Sequence, residues 1–150
     1  MKKIINPIAL MFGLIISTLA FAGKGAQDVK VLEGGYVRST PPGHTVTGAF
    51  FDLENKGDVP HTITAVESPL APQVEMHRTV TQGKDMMQMK PIQKLEIGAH
   101  QKITLRPAGD HIMLMNLTKP LGVGDTVKLT LIFEDGSKLP VKLLVHDARD

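Results

Sequence analysis

From residue 29 onward, short runs rich in apolar and β-branched residues, several of them alternating apolar with polar, are separated by clusters of Gly, Pro, Asn or Asp. Side chains two apart share one face of an extended strand, so this rhythm predicts many short strands. Strands are expected over 29–38 (bulged or bent at Gly34-Gly35), 46–53, 61–66, 73–80 and 85–89. A short extended or turn segment follows over 92–97, then strands over 101–105, 111–117, 126–133 and 138–145. The breaks are Ser39-Thr40-Pro41-Pro42-Gly43, Asn55-Lys56-Gly57-Asp58, Pro69 to Pro72, Gln82-Gly83-Lys84-Asp85, Pro107-Ala108-Gly109-Asp110 and Glu134-Asp135-Gly136-Ser137. Gly and Asn there tolerate positive φ, and Pro fixes φ and removes a donor. No segment keeps a 3.6-residue apolar period over three turns. The pattern predicts an all-β antiparallel sandwich in one domain, without internal repeats. Residues 23–28 are small and polar and are expected to be disordered.

The first 22 residues follow a different rule. Met1-Lys2-Lys3 is a basic start, an apolar run occupies roughly 8–21, and Ala20-Phe21-Ala22 has the small-x-small pattern of a signal peptidase site. The run is short for a membrane span of about 20 residues and is interrupted by Gly13, Ser17 and Thr18. Cleavage is expected after Ala22, with export to the periplasm and no stable membrane insertion. With no cysteine, attachment of a lipid to an N-terminal cysteine is not expected, and neither is a disulfide.

Cleavage removes two of the 17 basic residues, Lys2 and Lys3, and none of the 15 acidic ones, so the mature chain is formally neutral. That argues against nucleic acid, which demands a concentrated positive surface.

The chemistry concentrates between Met76 and Met115. Of eight methionines, Met1 and Met11 lie in the leader and the other six all fall in this window. His77 and His111 stand beside them. Thioether and imidazole together suit copper, above all Cu(I), and a thioether, unlike a thiol, cannot be lost to a disulfide in an oxidising compartment. A single methionine is more at home as a flexible core filler. The joint pattern is the stronger signal, because Met recurs where an alternating strand should carry polar side chains. His111 and Met113 share a face opposite Ile112 and Leu114, and are expected on the outer face or at a rim. Met115 continues that face. Met87 and Met89 share a face, and a hairpin from His77 through Gly83 brings Met89 back towards His77. Two imidazoles and two thioethers would complete a four-coordinate Cu(I) site.

These residues resemble the periplasmic copper chaperones of the PCu(A)C type, whose signature is His-x10-Met-x21-His-x-Met. Here His77 is followed after eleven residues by Met89, after twenty-one more by His111, and then by Met113. The first gap is one residue longer, and the extra residue falls in the 79–85 turn. The similarity extends to Met89-Lys90-Pro91, His111-Ile112-Met113-Leu114-Met115, the stretch from Tyr36 to Gly43, Thr47-Gly48-Ala49-Phe50 and the stretch from Leu53 to Gly57. The resemblance implies a cupredoxin-like Greek-key sandwich that binds Cu(I) through His77, Met89, His111 and Met113. Met87, Met86 and Met115 are alternative thioethers, and Met76 a weaker one. It also implies delivery of copper to cytochrome c oxidase subunit II (its CuA centre), with another periplasmic copper protein as the alternative partner; a monomer is expected.

Other readings are a copper buffer or resistance protein and a metal-free interaction sandwich. A blue-copper electron carrier is excluded by the lack of cysteine. No serine sits in a nucleophile motif, and the acids Glu75, Asp85, Glu96 and Asp110 read as turn or strand-edge residues, so no enzyme is expected. His44, His61, His100 and His146 are expected at the surface.

Overall fold

The computed structural model describes residues 24–84 and 86–147; the expected leader over 1–22 and the start of the 85–89 strand at Asp85 lie outside them. Twelve strands and one helical turn occupy the described residues. The clearest alternation appears in β11 (Thr126–Phe133) and β12 (Lys138–His146), where Val127, Leu129, Leu131 and Phe133, and Val141, Leu143 and Val145, turn inward. They join as a hairpin whose turn holds Gly136 at φ 83.

Nine strands form one sheet in the order β7 (Met86–Ile92), β6 (Gln73–Gln82), β10 (Asp110–Met115), β3 (Thr47–Phe50), β2 (Tyr36–Arg38), β12, β11, β5 (His61–Glu67) and β8 (Leu95–Ile97), antiparallel except for the parallel pairing of β12 with β2. The sheet curls until β5 (His61–Glu67) lies across a cleft from β6 (Gln73–Gln82), lined by Val66, Ser68, Val74 and Thr130. A second sheet of three strands, β1 (Val29–Val31), β4 (Asp52–Asn55) and β9 (Lys102–Thr104), contributes Val29, Leu53 and Ile103 to the same core. The curled β-sandwich therefore stands as expected, around a core that includes Val37, Leu53, Ile63, Ile112, Leu114, Leu131 and Val145.

Two expected long strands are each divided. Segment 29–38 is β1 (Val29–Val31) in the small sheet and β2 (Tyr36–Arg38) in the large one. Segment 46–53 likewise becomes β3 (Thr47–Phe50) in the large sheet and β4 (Asp52–Asn55) in the small one, with the break at Phe51. The two corners are packed on each other: a Cβ on Gly35 would stand 2.6 Å from Phe51 Cβ and 2.9 Å from Leu143. A strand that changes sheets must bend sharply, and Gly35 leaves the room for Phe51 to sit in the bend. The 92–97 segment resolves into the end of β7 (Met86–Ile92) and β8 (Leu95–Ile97), and β9 is Lys102–Thr104.

Residues 25–28 are ordered, contrary to expectation. They form one turn, α1 (Gly25–Asp28), tied to the β11–β12 turn 110 residues away. Gly25 N–H donates to Asp135 Oδ2 (2.7 Å), Ala26 N–H to Ser137 Oγ (2.9 Å), and His61 Nε2–H to Asp28 Oδ2 (2.8 Å). His61 is consequently buried, not at the surface. Local composition could not reveal a tether whose partners are this distant.

The Asp135 carboxyl sits below its ordinary value of 3.8: burial works against its charge, but hydrogen bonds from Ser137 and Gly25 and the neighbouring His61 outweigh it. A lowered carboxylate contributes stability above the unfolded value and loses it as pH falls through the folded one. Hydrogen exchange at Gly25 and Ala26 should therefore speed up as pH is lowered below 3.8, after correction for intrinsic rates, and Asp135→Asn should abolish that extra acceleration. Gly35→Ala should cost about 1–3 kcal/mol in denaturant unfolding, as an overpacked core site does.

Candidate metal centre

The register of three strands assembles the site. In β6, His77 pairs directly with His111 of β10 (Asp110–Met115), Glu75 with Met113, and Thr79 with Met89 of β7. Directly paired residues and residues two apart share a face, so His77, Met89, His111 and Met113 all point to one side. Met76, Ile112 and Leu114 take the other side and enter the core. On β3, Gly48 pairs with Met113. Its missing side chain makes space for the ring of Phe50, which a Cβ would meet at 2.7 Å. The Phe50 ring lies 6.1 Å from that of His111, which in turn lies edge-on to His77 at 5.9 Å. A cavity of about 230 Å³ opens here, lined by Met89, His111, Met113, Gly48, Phe50 and Arg38.

Both histidines are more enclosed than an outer face or rim implies. His111 is 2% exposed and His77 9%, Met113 is half-buried, and only Met89, at 55%, stands in solvent. The neighbouring Phe50, buried between Arg38 and His111, packs against the His111 ring. Beside the histidine pair, Arg78 on β6 grips Asp110 on β10 through two hydrogen bonds of 2.7 and 2.9 Å. That clamp holds the two strands in register at the site. Asp110, expected as a turn acid, is thus a cross-strand partner.

Each imidazole is held by one nitrogen only. His111 Nδ1–H donates to the Gly109 carbonyl (3.0 Å), and His77 Nε2–H donates to Glu75 Oε2 (2.7 Å). Because a carbonyl and a carboxylate only accept, these contacts assign the proton in the neutral ring and leave His111 Nε2 and His77 Nδ1 as bare lone pairs. Both of those nitrogens are buried without a hydrogen-bond partner, as is Thr79 Oγ1. Buried polar atoms are ordinarily satisfied, and each orphan costs about 1–3 kcal/mol. Two such nitrogens on adjacent paired residues, flanked by thioethers, match the donor set of a soft monovalent metal. Imidazole ligands characteristically have their second nitrogen fixed by a carboxylate or carbonyl.

Glu75 is the residue that the sequence reading missed. Its hydrogen bond from His77, followed by one from Gln73, holds the carboxyl below its ordinary value against opposing desolvation. The signal was available: Glu75 lies two residues before His77 and so on the same strand face.

Among the alternative methionines, Met87 pairs with Thr81 and lies on the same face two residues beyond Met89, whereas Met86 pairs with Gln82 on the opposite face. Met115 continues the face past Met113, opposite Gln73. Met76 is in the core. His44 and His100 are exposed, with His100 on Asp58, and His146 stacks on Tyr36. Among the described residues no three His, Cys, Asp or Glu form a metal-binding group, so a site here has to draw on thioethers.

Comparison with known proteins agrees with this geometry at the level of fold and family. The LpqE-like family model matches residues 18–145. The protein named "Putative lipoprotein Lxx21020" of Leifsonia xyli subsp. xyli is 34% identical over 125 residues, covering 83% of this chain and 74% of that one. Both names carry the words "putative lipoprotein"; this sequence contains no cysteine. The solution structure of CuI-DR1885 from Deinococcus radiodurans is 38% identical, with a TM-score of 0.64 and 83% of each chain covered. The copper-bound PCuAC domain from PmoF2 superposes with a TM-score of 0.67 over 80% of this chain and 93% of that one, at 21% identity, and so shares the fold. The architecture is therefore that of PCuAC domains, and the chain belongs to the LpqE-like family.

Proposed function

We propose that this protein is a periplasmic copper chaperone that holds Cu(I) on His77, Met89, His111 and Met113 and passes it to an acceptor by ligand exchange. The observation that carries this reading is the pair of bare, buried nitrogens, His77 Nδ1 and His111 Nε2, on the face that carries Met89 and Met113. The similarity to the copper(I) form of DR1885 supports it.

The chemistry follows from the donors. All four are neutral, so binding Cu(I) leaves one positive charge, which the nearby Glu75 carboxylate offsets. The two imidazoles are oriented in advance by Glu75 and Gly109, so little ordering remains to be done when the ion arrives. Met89 is the most exposed of the four and sits on the edge strand of the sheet. An acceptor's ligand enters from that side, and Met89 is the first to yield. The role is carriage rather than catalysis, as a monomer, with the CuA centre of cytochrome c oxidase subunit II as the acceptor, or another periplasmic copper protein.

A Cu(I) competition titration tests the ligand set. His77→Ala and His111→Ala should each weaken binding by more than about 100-fold, and Glu75→Gln by about 10- to 100-fold, the usual effect of losing a ligand-orienting group. His100→Ala should change nothing; if all four variants behaved alike, the assignment would fail. Transfer to a purified subunit II fragment tests the acceptor: copper should move with the fragment on separation, and retention on the chaperone would instead favour a buffering role.

A further inference from the structure

The exposed methionines of β7 remain unexplained by the four-ligand site. Methionine ordinarily fills gaps in a core, yet Met86 is 70% exposed and Met87 66%, and neither has a place in the hydrophobic cluster. They lie on an edge strand of the sheet, where natural sequences favour Lys and Pro to prevent pairing with other chains. Lys84, Lys90 and Pro91 meet that need; two large apolar side chains in water work against it. Strand parity then separates the pair. Met87 shares the face of Met89, His77 and His111, while Met86 faces the opposite way. Successive side chains on one face are about 6.7 Å apart along a strand, a gap that two flexible thioether arms can close together.

Resting on the copper reading above, we propose that Met87 is a transfer ligand: a thioether on which Cu(I) stands after leaving Met89 and before the acceptor takes it. The buried histidines and half-buried Met113 form the retaining end of the path, Met89 the hinge, and Met87 the outer step towards the hairpin tip. In the step, the bond from copper to the Met89 sulfur breaks as the bond to the Met87 sulfur forms. The ion stays Cu(I) and no electron or proton moves. Such a ligand contributes to the rate of exchange and little to the equilibrium, because it is occupied only while copper is in transit.

The test uses the mature chain loaded with Cu(I), with stopped-flow transfer to bicinchoninate beside an equilibrium competition with the same chelator. Met87→Leu keeps the apolar bulk and removes only the sulfur. It should leave affinity within about twofold and slow transfer about tenfold, equivalent to about 1.4 kcal/mol on the barrier. Met86→Leu should alter neither. A Met87→Leu protein that transferred copper at the wild-type rate would overturn the relay, with the four-ligand site intact provided His111→Ala still weakened binding. Equal slowing by Met86→Leu would also overturn it, since the strand-face argument would be wrong. A large loss of affinity in Met87→Leu would overturn it too, by making Met87 a resident ligand. If His111→Ala and Met113→Leu both left affinity unchanged, the copper reading would fall, and the relay with it.

Discussion

The pairing of His77 with His111 across β6 and β10 is the constraint on which the site depends. One register places Met76, Ile112 and Leu114 in the core and, on the reverse side, lines up both imidazoles with Met113 and Glu75. Because side chains alternate with a period of two, a slip by a single residue would send the histidines inward and the core residues out. The burial of Ile112 and Leu114 therefore fixes the site as firmly as it fixes the sheet. The Arg78–Asp110 clamp adds a polar lock one residue away. Stability and site geometry are set by the same ladder.

That arrangement carries a local cost. Two imidazole nitrogens are desolvated without protein partners, while their opposite nitrogens are firmly held by Glu75 and Gly109. A fold selected for stability alone would satisfy them or replace them with apolar groups. The disposition makes sense if an ion supplies the missing interaction. Phe50, seated over Gly48, packs against the His111 side of the pair. The exposure of Met89 leaves the cavity beside the pair open to solvent on that side.

Much of this was legible from residue order. Alternation placed nearly every strand, and the i, i+2 rule put His111 beside Met113 and set both against Ile112 and Leu114. Across the hairpin Thr79 pairs with Met89 and keeps it on the face of His77. What escaped depends on contacts between distant segments. The division of 29–38 and 46–53 between two sheets rests on Gly35 meeting Phe51, and the order in α1 rests on Asp135 and Ser137. Alternation predicts which way His111 points but not that Phe50 will cover it. Glu75 lies within reach of the same rule that pairs His111 with Met113, but a lone acid on a strand suggests no partner.

In the proposed site, two nitrogens and two thioether sulfurs from this one face hold the ion. X-ray absorption on the Cu(I)-loaded mature protein counts those ligands directly. The expected spectrum has the copper edge of the monovalent ion, with two imidazole nitrogens and two sulfurs in the coordination shell, and loses one nitrogen contribution in His77→Ala. A shell made only of nitrogen and oxygen, or one unchanged when His77 is removed, would contradict it.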